Sequence, residues 1–291
     1  MRYQIQKHRA EGPRAAFSQP PEVLLLLVNQ KGGVMSSVQN TNKWNMHMAA
    51  GRMAFEKGDF AAAEHMYSAA LKEAESFGAS DPKLAHTLNN LALAYCTQGK
   101  HDKAEPLYQR ALTLDEASLG ADDPDLATDL SNLAAHYHRI GRYQEAEQFY
   151  KRAISIMEGR FGKEDLETVR LMSGLAVVYS DNGQSAEAES IYKKVLDIRE
   201  RNLGSKHAEV AESLNNLASL YCNNNRCAEA EPLYERSIEI MGFTLGPDHP
   251  ELATVLENYA GLLRKNGRLA EADAADQRAE RIWKKAGNHG Y

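Results

Sequence analysis

Leu88–Pro124 reads LNNLALAYCTQGKHDKAEPLYQRALTLDEASLGADDP, and it holds two apolar patterns of helical period on either side of a glycine. Leu88, Leu91, Ala92 and Tyr95 follow i, i+3, i+4, i+7, one stripe of a helix. Ala104, Tyr108, Ala111 and Leu112 make a second stripe beyond Gly99. Gly120 and Pro124 then stop the pattern, the first by tolerating positive φ, the second by lacking a backbone N–H. Shifted by 42 residues the stretch recurs: Leu88 maps onto Leu130, Met172, Leu214 and Leu256, and Tyr95 onto Tyr137, Tyr179, Tyr221 and Leu263. Gly99 maps onto Gly141, Gly183, Asn225 and Gly267. A fixed period of this length predicts an array of helical hairpins.

Two helices joined by about three residues pack antiparallel. Ala92 and Ala104 suit a close crossing, with Tyr95 and Tyr108 filling the space beside it. Pro106 and Pro232 are placed near the first turn of the second helix, where a missing N–H costs nothing. Six units are expected, at about 43–78, 84–120, 126–162, 168–204, 210–246 and 252–286. The sixth has Asp276 where Tyr108 stands and a charged last helix, which suits the open end of a stack; Trp283 is expected to cover its apolar edge.

The pattern L-x2-L-A-x2-Y, A-x3-Y and a further Ala resembles the tetratricopeptide repeat, with Ala92 where that family often has Gly. The eight extra residues per unit, with the N-N-L-A and A-E-P-L-Y runs, are similar to kinesin light chain-type repeats. The resemblance spans roughly residues 43–286 and implies an all-α fold, an α-solenoid wound as a right-handed superhelix. It implies first helices lining a concave groove, and Asn residues just before the apolar Leu touching a bound peptide.

Here that position reads Asn90, Asn132, Gly174, Asn216 and Asn258, with Asn89 and Asn215 adjacent. Asn is a poor helix former, so its repetition at an exposed site needs a reason. Its amide donates and accepts, matching an extended peptide backbone. Bracing of adjacent repeats is the alternative, and both readings stay open. Gly174 marks either a gap or a close approach. Arg170, Arg139, His138, Arg264, Lys265 and Arg52 add positive charge near the row, and Asp181 and Glu212 negative charge. A partner segment with acidic residues follows, binding at micromolar level, about −8 kcal/mol.

Other chemistry finds little footing. A net charge of −6 argues against a nucleic-acid or anionic-membrane surface. Cys96, Cys222 and Cys227 form no C-x2-C and read as reduced thiols in a cytoplasmic compartment. His136 and His138 point about 160° apart on one helix and share no metal. His207 and His249 read as solvated loop residues. Glu145–Glu147 and Glu187–Glu189 read as helix-start charges. No catalytic residue, metal or cofactor is expected.

Residues 1–42 lack the period and read as a poorly structured tail, as do 287–291. Val23–Val28 is too short for a membrane span and lacks a signal cleavage site. LLLLVNQKGGV at Leu24–Val34 resembles the opening of a partition-type ATPase nucleotide loop. Met35-Ser36-Ser37 follows Lys31–Gly33 in place of the G-K-[ST] that phosphate and Mg²⁺ require, so nucleotide binding is a weak alternative. Met35 is a candidate translation start, testable by intact mass. A self-associating assembly subunit, stacking through unit one, is the other alternative.

Overall fold

A computed structural model describes residues 32–287, with side chains from residue 39 onward. Twelve α-helices make six hairpins, and there is no strand among the described residues. The pairs are α1 (Gly32–Glu56) with α2 (Phe60–Ala74), α3 (Pro82–Thr97) with α4 (His101–Leu119), and α5 (Leu126–Arg139) with α6 (Tyr143–Phe161). They continue with α7 (Leu166–Asp181) and α8 (Ser185–Leu203), α9 (Ala208–Asn223) and α10 (Cys227–Thr244), and α11 (Pro250–Lys265) and α12 (Leu269–Lys285). The all-α solenoid expected from the period is what the chain forms.

Each tight turn is built alike. Gly99 takes φ 73°, Lys100 N–H donates to Tyr95 O at 2.9 Å, and Gly99 N–H donates to Cys96 O at 3.1 Å, the doubly bonded end that needs a left-handed residue. Asn225 fills that place at φ 60° in the fifth unit, as an asparagine tolerates. The next helix then starts two residues beyond the left-handed one, at His101 after Gly99. Pro106 and Pro232 therefore lie inside α4 and α10 rather than in their first turns. Both are solvent-exposed, where a freed carbonyl finds water.

Ala92, Ala104, Ala134 and Ala146 are fully buried, and Tyr67, Tyr108, Tyr150, Tyr192 and Tyr234 fill the hairpin cores. A buried ring of about 150 Å² contributes roughly 4 kcal/mol of apolar transfer before its entropy cost. Gly51 carries the first hairpin's closest packing: a Cβ there would meet the Tyr67 ring at 2.6 Å.

Hairpins are joined differently on their two sides. Successive first helices α3, α5, α7, α9 and α11 pack against one another. Successive second helices meet through long side chains, such as Arg110 on Glu75 at 3.1 Å, with Arg152 on Glu116 and Arg236 on Glu200 at the equivalent places. The first helices thus approach one another more closely than the second helices do.

Glu147 and Glu189 do more than sit at helix starts. Tyr179 and Tyr221 of the following hairpin each donate a hydroxyl to them at 3.0 Å. Arg226 also pairs with Glu189 at 2.5 Å and, with Lys193, holds that carboxyl down at about 2. Such half-exposed pairs are worth at most about 1 kcal/mol each, but they recur along the array.

Three further expectations are revised. Helix α1 begins at Gly32, so helix precedes the expected array start near residue 43. His207 and His249 cap α9 and α11, accepting from Glu209 N–H at 3.2 Å and Glu251 N–H at 3.3 Å, where Asp81 and Asp165 cap α3 and α7. Gly32 and Gly33 of the weak nucleotide loop are helical, while Lys31 and residues 1–30 lie outside the described residues. In the last hairpin Trp283 packs on the core and donates to Glu257 at 2.7 Å, and Asp276 pairs with Arg264.

Candidate functional site

On each first helix one partly exposed row runs through the Asn position, one turn before it, one turn after it and two turns after it. At two turns after, the row reads Thr97, Arg139, Asp181, Asn223 and Lys265 from α3 to α11. Because successive first helices lie side by side, these rows adjoin as one polar strip.

The strip divides into engaged and open groups. Asn89 donates to buried Asp129 of the next hairpin, and Asn258 donates to Asn215 at 3.0 Å. These three amides brace neighbouring first helices. His138 pairs with Asp181 at 2.7 Å between α5 and α7, and Lys265 donates to Cys222 O at 2.9 Å between α11 and α9. Arg170 is held by Glu167 at 2.8 Å within its own helix, and Arg264 by Asp276 and Asp273. Glu212 is held by buried Arg199 at 3.2 Å. Much of the expected positive charge is thus spent inside the array.

The open groups are fewer. Asn132 and Asn216 are partly exposed and make no hydrogen bond among the described residues. Asn90 donates to His86 O in its own helix at 2.8 Å, which leaves its carbonyl oxygen available. Arg139 and Arg52 are exposed and carry no ion pair among the described residues. Arg139 stands two turns from Asn132 on one helix face.

Gly174 is a close approach rather than a gap. A Cβ there would lie 2.7 Å from the Tyr150 ring, so an Asn cannot be housed. The ladder is interrupted because the ring of the preceding hairpin occupies its place.

The sequence reading overlooked the ionisable groups beneath the strip. Asp129 is 3% exposed, and burial pushes its carboxyl up, with Asp115 beside it adding the repulsion of a second acid. Arg199 is 2% exposed and also donates to Ser213 at 2.8 Å. The column Thr87, Asp129, Leu171, Ser213, Val255 carried the signal: one charge among apolar and hydroxyl residues. Among the described residues, Cys96, His101 and His136 are the group with metal-ligand proximity; His136 is buried in the core while His138 faces outward. No helix among them is long and apolar enough to cross a membrane.

Comparison with known proteins follows the period. The family profile described as Tetratricopeptide repeat matches residues 45–117, 84–159, 167–242 and 209–285. No curated protein matches. Among solved structures, BtubC (BKLC) from P. vanneervenii is similar at 23% identity and TM-score 0.60, covering 90% of this chain and 95% of that one. Nearly identical kinesin-light-chain-type repeats from Podosopora anserina align at 25% identity and TM-score 0.57, over 71% of this chain and 98% of theirs. Aspartyl phosphate phosphatase F from Bacillus subtilis shares the fold at 12% identity and TM-score 0.62, over 91% and 76%.

Proposed function

Because the chain belongs to the tetratricopeptide repeat family, whose repeats mediate protein–protein interactions, we propose that it is a non-enzymatic scaffold whose inner strip holds an extended segment of a partner protein. The observation that carries this reading is the pair Asn132 and Asn216, partly exposed on α5 and α9 and without a hydrogen bond among the described residues. A helix interior gains nothing from such an amide, whereas an extended backbone offers both of its partners. Asn90 extends the row through its free carbonyl oxygen. Asn89, Asn215 and Asn258 act as braces in this scheme. Arg139 supplies a cation for one acidic side chain near the middle of the segment, a narrower demand than a generally acidic partner.

Panning a displayed random-peptide library tests it. The chain is expected to enrich extended peptides with an acidic residue. Asn132→Ala combined with Asn216→Ala should weaken the selected peptides about tenfold or more, since each lost amide contact is worth about 1 kcal/mol. Helicity and melting temperature should stay within the error of the measurement. Equal enrichment by the double variant, or an equal fall in stability, removes the proposal.

A second reading, self-association through the first hairpin, is favoured by Met46 and Met53, both strongly exposed two turns apart on α1. Light scattering that returns one concentration-independent monomer mass would dismiss it.

A further inference from the structure

We propose that Cys96, His101 and His136 form a binding site for a borderline-soft divalent metal ion, with Zn²⁺ as the occupant their chemistry selects. The three come from the last turn of α3, the first residue of α4 and the last turn of α5. One thiol and two imidazoles therefore converge where the second hairpin meets the third.

The geometry fits an ion better than a chance contact. Cys96 Sγ lies 3.6 Å from His136 Nδ1 and 3.8 Å from His101 Nδ1, and all three ligand atoms fall within 4.8 Å of one another. Zinc bonds of about 2.3 Å to sulfur and about 2.0–2.1 Å to nitrogen, at tetrahedral angles, place sulfur and nitrogen about 3.6 Å apart. The two sulfur–nitrogen edges need little adjustment. Two helix termini and the doubly bonded Gly99 turn hold Cys96 and His101 in place.

The repeat itself shows that His136 is out of character. Its column reads Ala94, Val178, Leu220 and Leu262 in the other units, all buried and apolar. His136 is 1% exposed, and its Nε2 has no hydrogen-bond partner. A buried imidazole so poorly satisfied costs free energy that a leucine would not. Its Nδ1 meets only the weak Cys96 thiol, and coordination there replaces that contact with a bond to the ion.

The fifth unit provides an internal control. Cys222 and Cys227 occupy the places of Cys96 and His101, but the third column there holds Leu262. Among the described residues, the junction of the second and third hairpins alone assembles all three donors. On binding, the Cys96 thiol releases its proton to solvent and both imidazoles bind neutral, while a water takes the fourth position. Glu105, Arg139 and Arg142 lie within electrostatic range of His136, with opposing effects on a cation. His101 is partly exposed and gives the ion its way in.

The test uses the full chain with Cys222→Ser and Cys227→Ser, stripped with chelator and titrated with Co²⁺. Binding of one equivalent, with a thiolate-to-cobalt charge-transfer band that Zn²⁺ bleaches, is expected. His136→Leu, which installs the residue of α9 and α11, should lower Co²⁺ affinity at least tenfold while circular dichroism stays unchanged. His101→Ser, the residue α8 has at this place, gives the same reading should the first variant misfold. Absence of the charge-transfer band, its survival in Cys96→Ser, or unchanged affinity in the folded histidine variants overturns the site.

Discussion

Burial decides the chemistry of single residues in this array, and Asp129 shows it most plainly. Its carboxyl is enclosed by α3, α4 and α5, with the Asn89 amide on one oxygen and Asp115 close by. Desolvation raises its pKa in the folded chain above the unfolded value. Between those two values the folded chain keeps a proton that the unfolded chain has lost, so stability falls as pH rises from the ordinary carboxylate range towards neutrality. Each unit of separation is worth about 1.4 kcal/mol. Asp129→Asn should flatten that slope, being more stable than the parent at pH 8 and closest to it at pH 4. Urea midpoints at the two pH values check this, and parallel profiles for the two proteins would contradict it. None of this was legible from one unit, because Asn89 and Asp129 meet across 40 residues. The period told which residues are equivalent, not which columns face each other. Gly174 and His136 were likewise visible as departures from their columns, while their partners Tyr150 and Cys96 were not.

Helices and turns were read more fully than side-chain partners, and their errors have local causes. The stripe residues Leu88, Leu91, Ala92, Ala104 and Tyr108 are buried as their spacing requires. The prolines were misplaced because α4 starts immediately after the Gly99 turn, a full turn before the Ala104 stripe. Pro106 therefore removes a donor from the second turn and crowds the carbonyl of Asp102. Pro106→Ala should stabilise the chain by about 1–2 kcal/mol, less than the full interior cost of proline, because the site is exposed and the unfolded chain regains freedom. Thermal melting of the variant reads this, and a fall in midpoint would mean that the ring makes contacts outweighing the bond. The histidine caps were missed for a related reason: Nδ1 of a neutral His can accept as a carboxylate does, yet composition marks only Asp, Asn, Ser and Thr as starts.

The described residues form a stack in which each hairpin packs on its neighbours, so stability is close to a sum of unit and interface terms. The ends differ from the middle. The first hairpin packs around Gly51, and the last replaces the core tyrosine with Asp276 and closes with Trp283. Among the described residues each end hairpin has one neighbour, so amide exchange should be fastest in α1 and α12 and slowest in α5 to α9. A lesion at the centre should stay local. Gly174→Ala drives a methyl against Tyr150 at 2.7 Å and should cost about 1–3 kcal/mol. Hydrogen exchange read by mass spectrometry is then expected to show protection lost in α5 to α8, with α11 and α12 unchanged. A uniform loss in every helix would instead mean that the hairpins unfold as one cooperative unit, and the nearest-neighbour description would fail. The distinction bears on function, since a strip that opens locally admits a partner segment without unfolding the rest of the array.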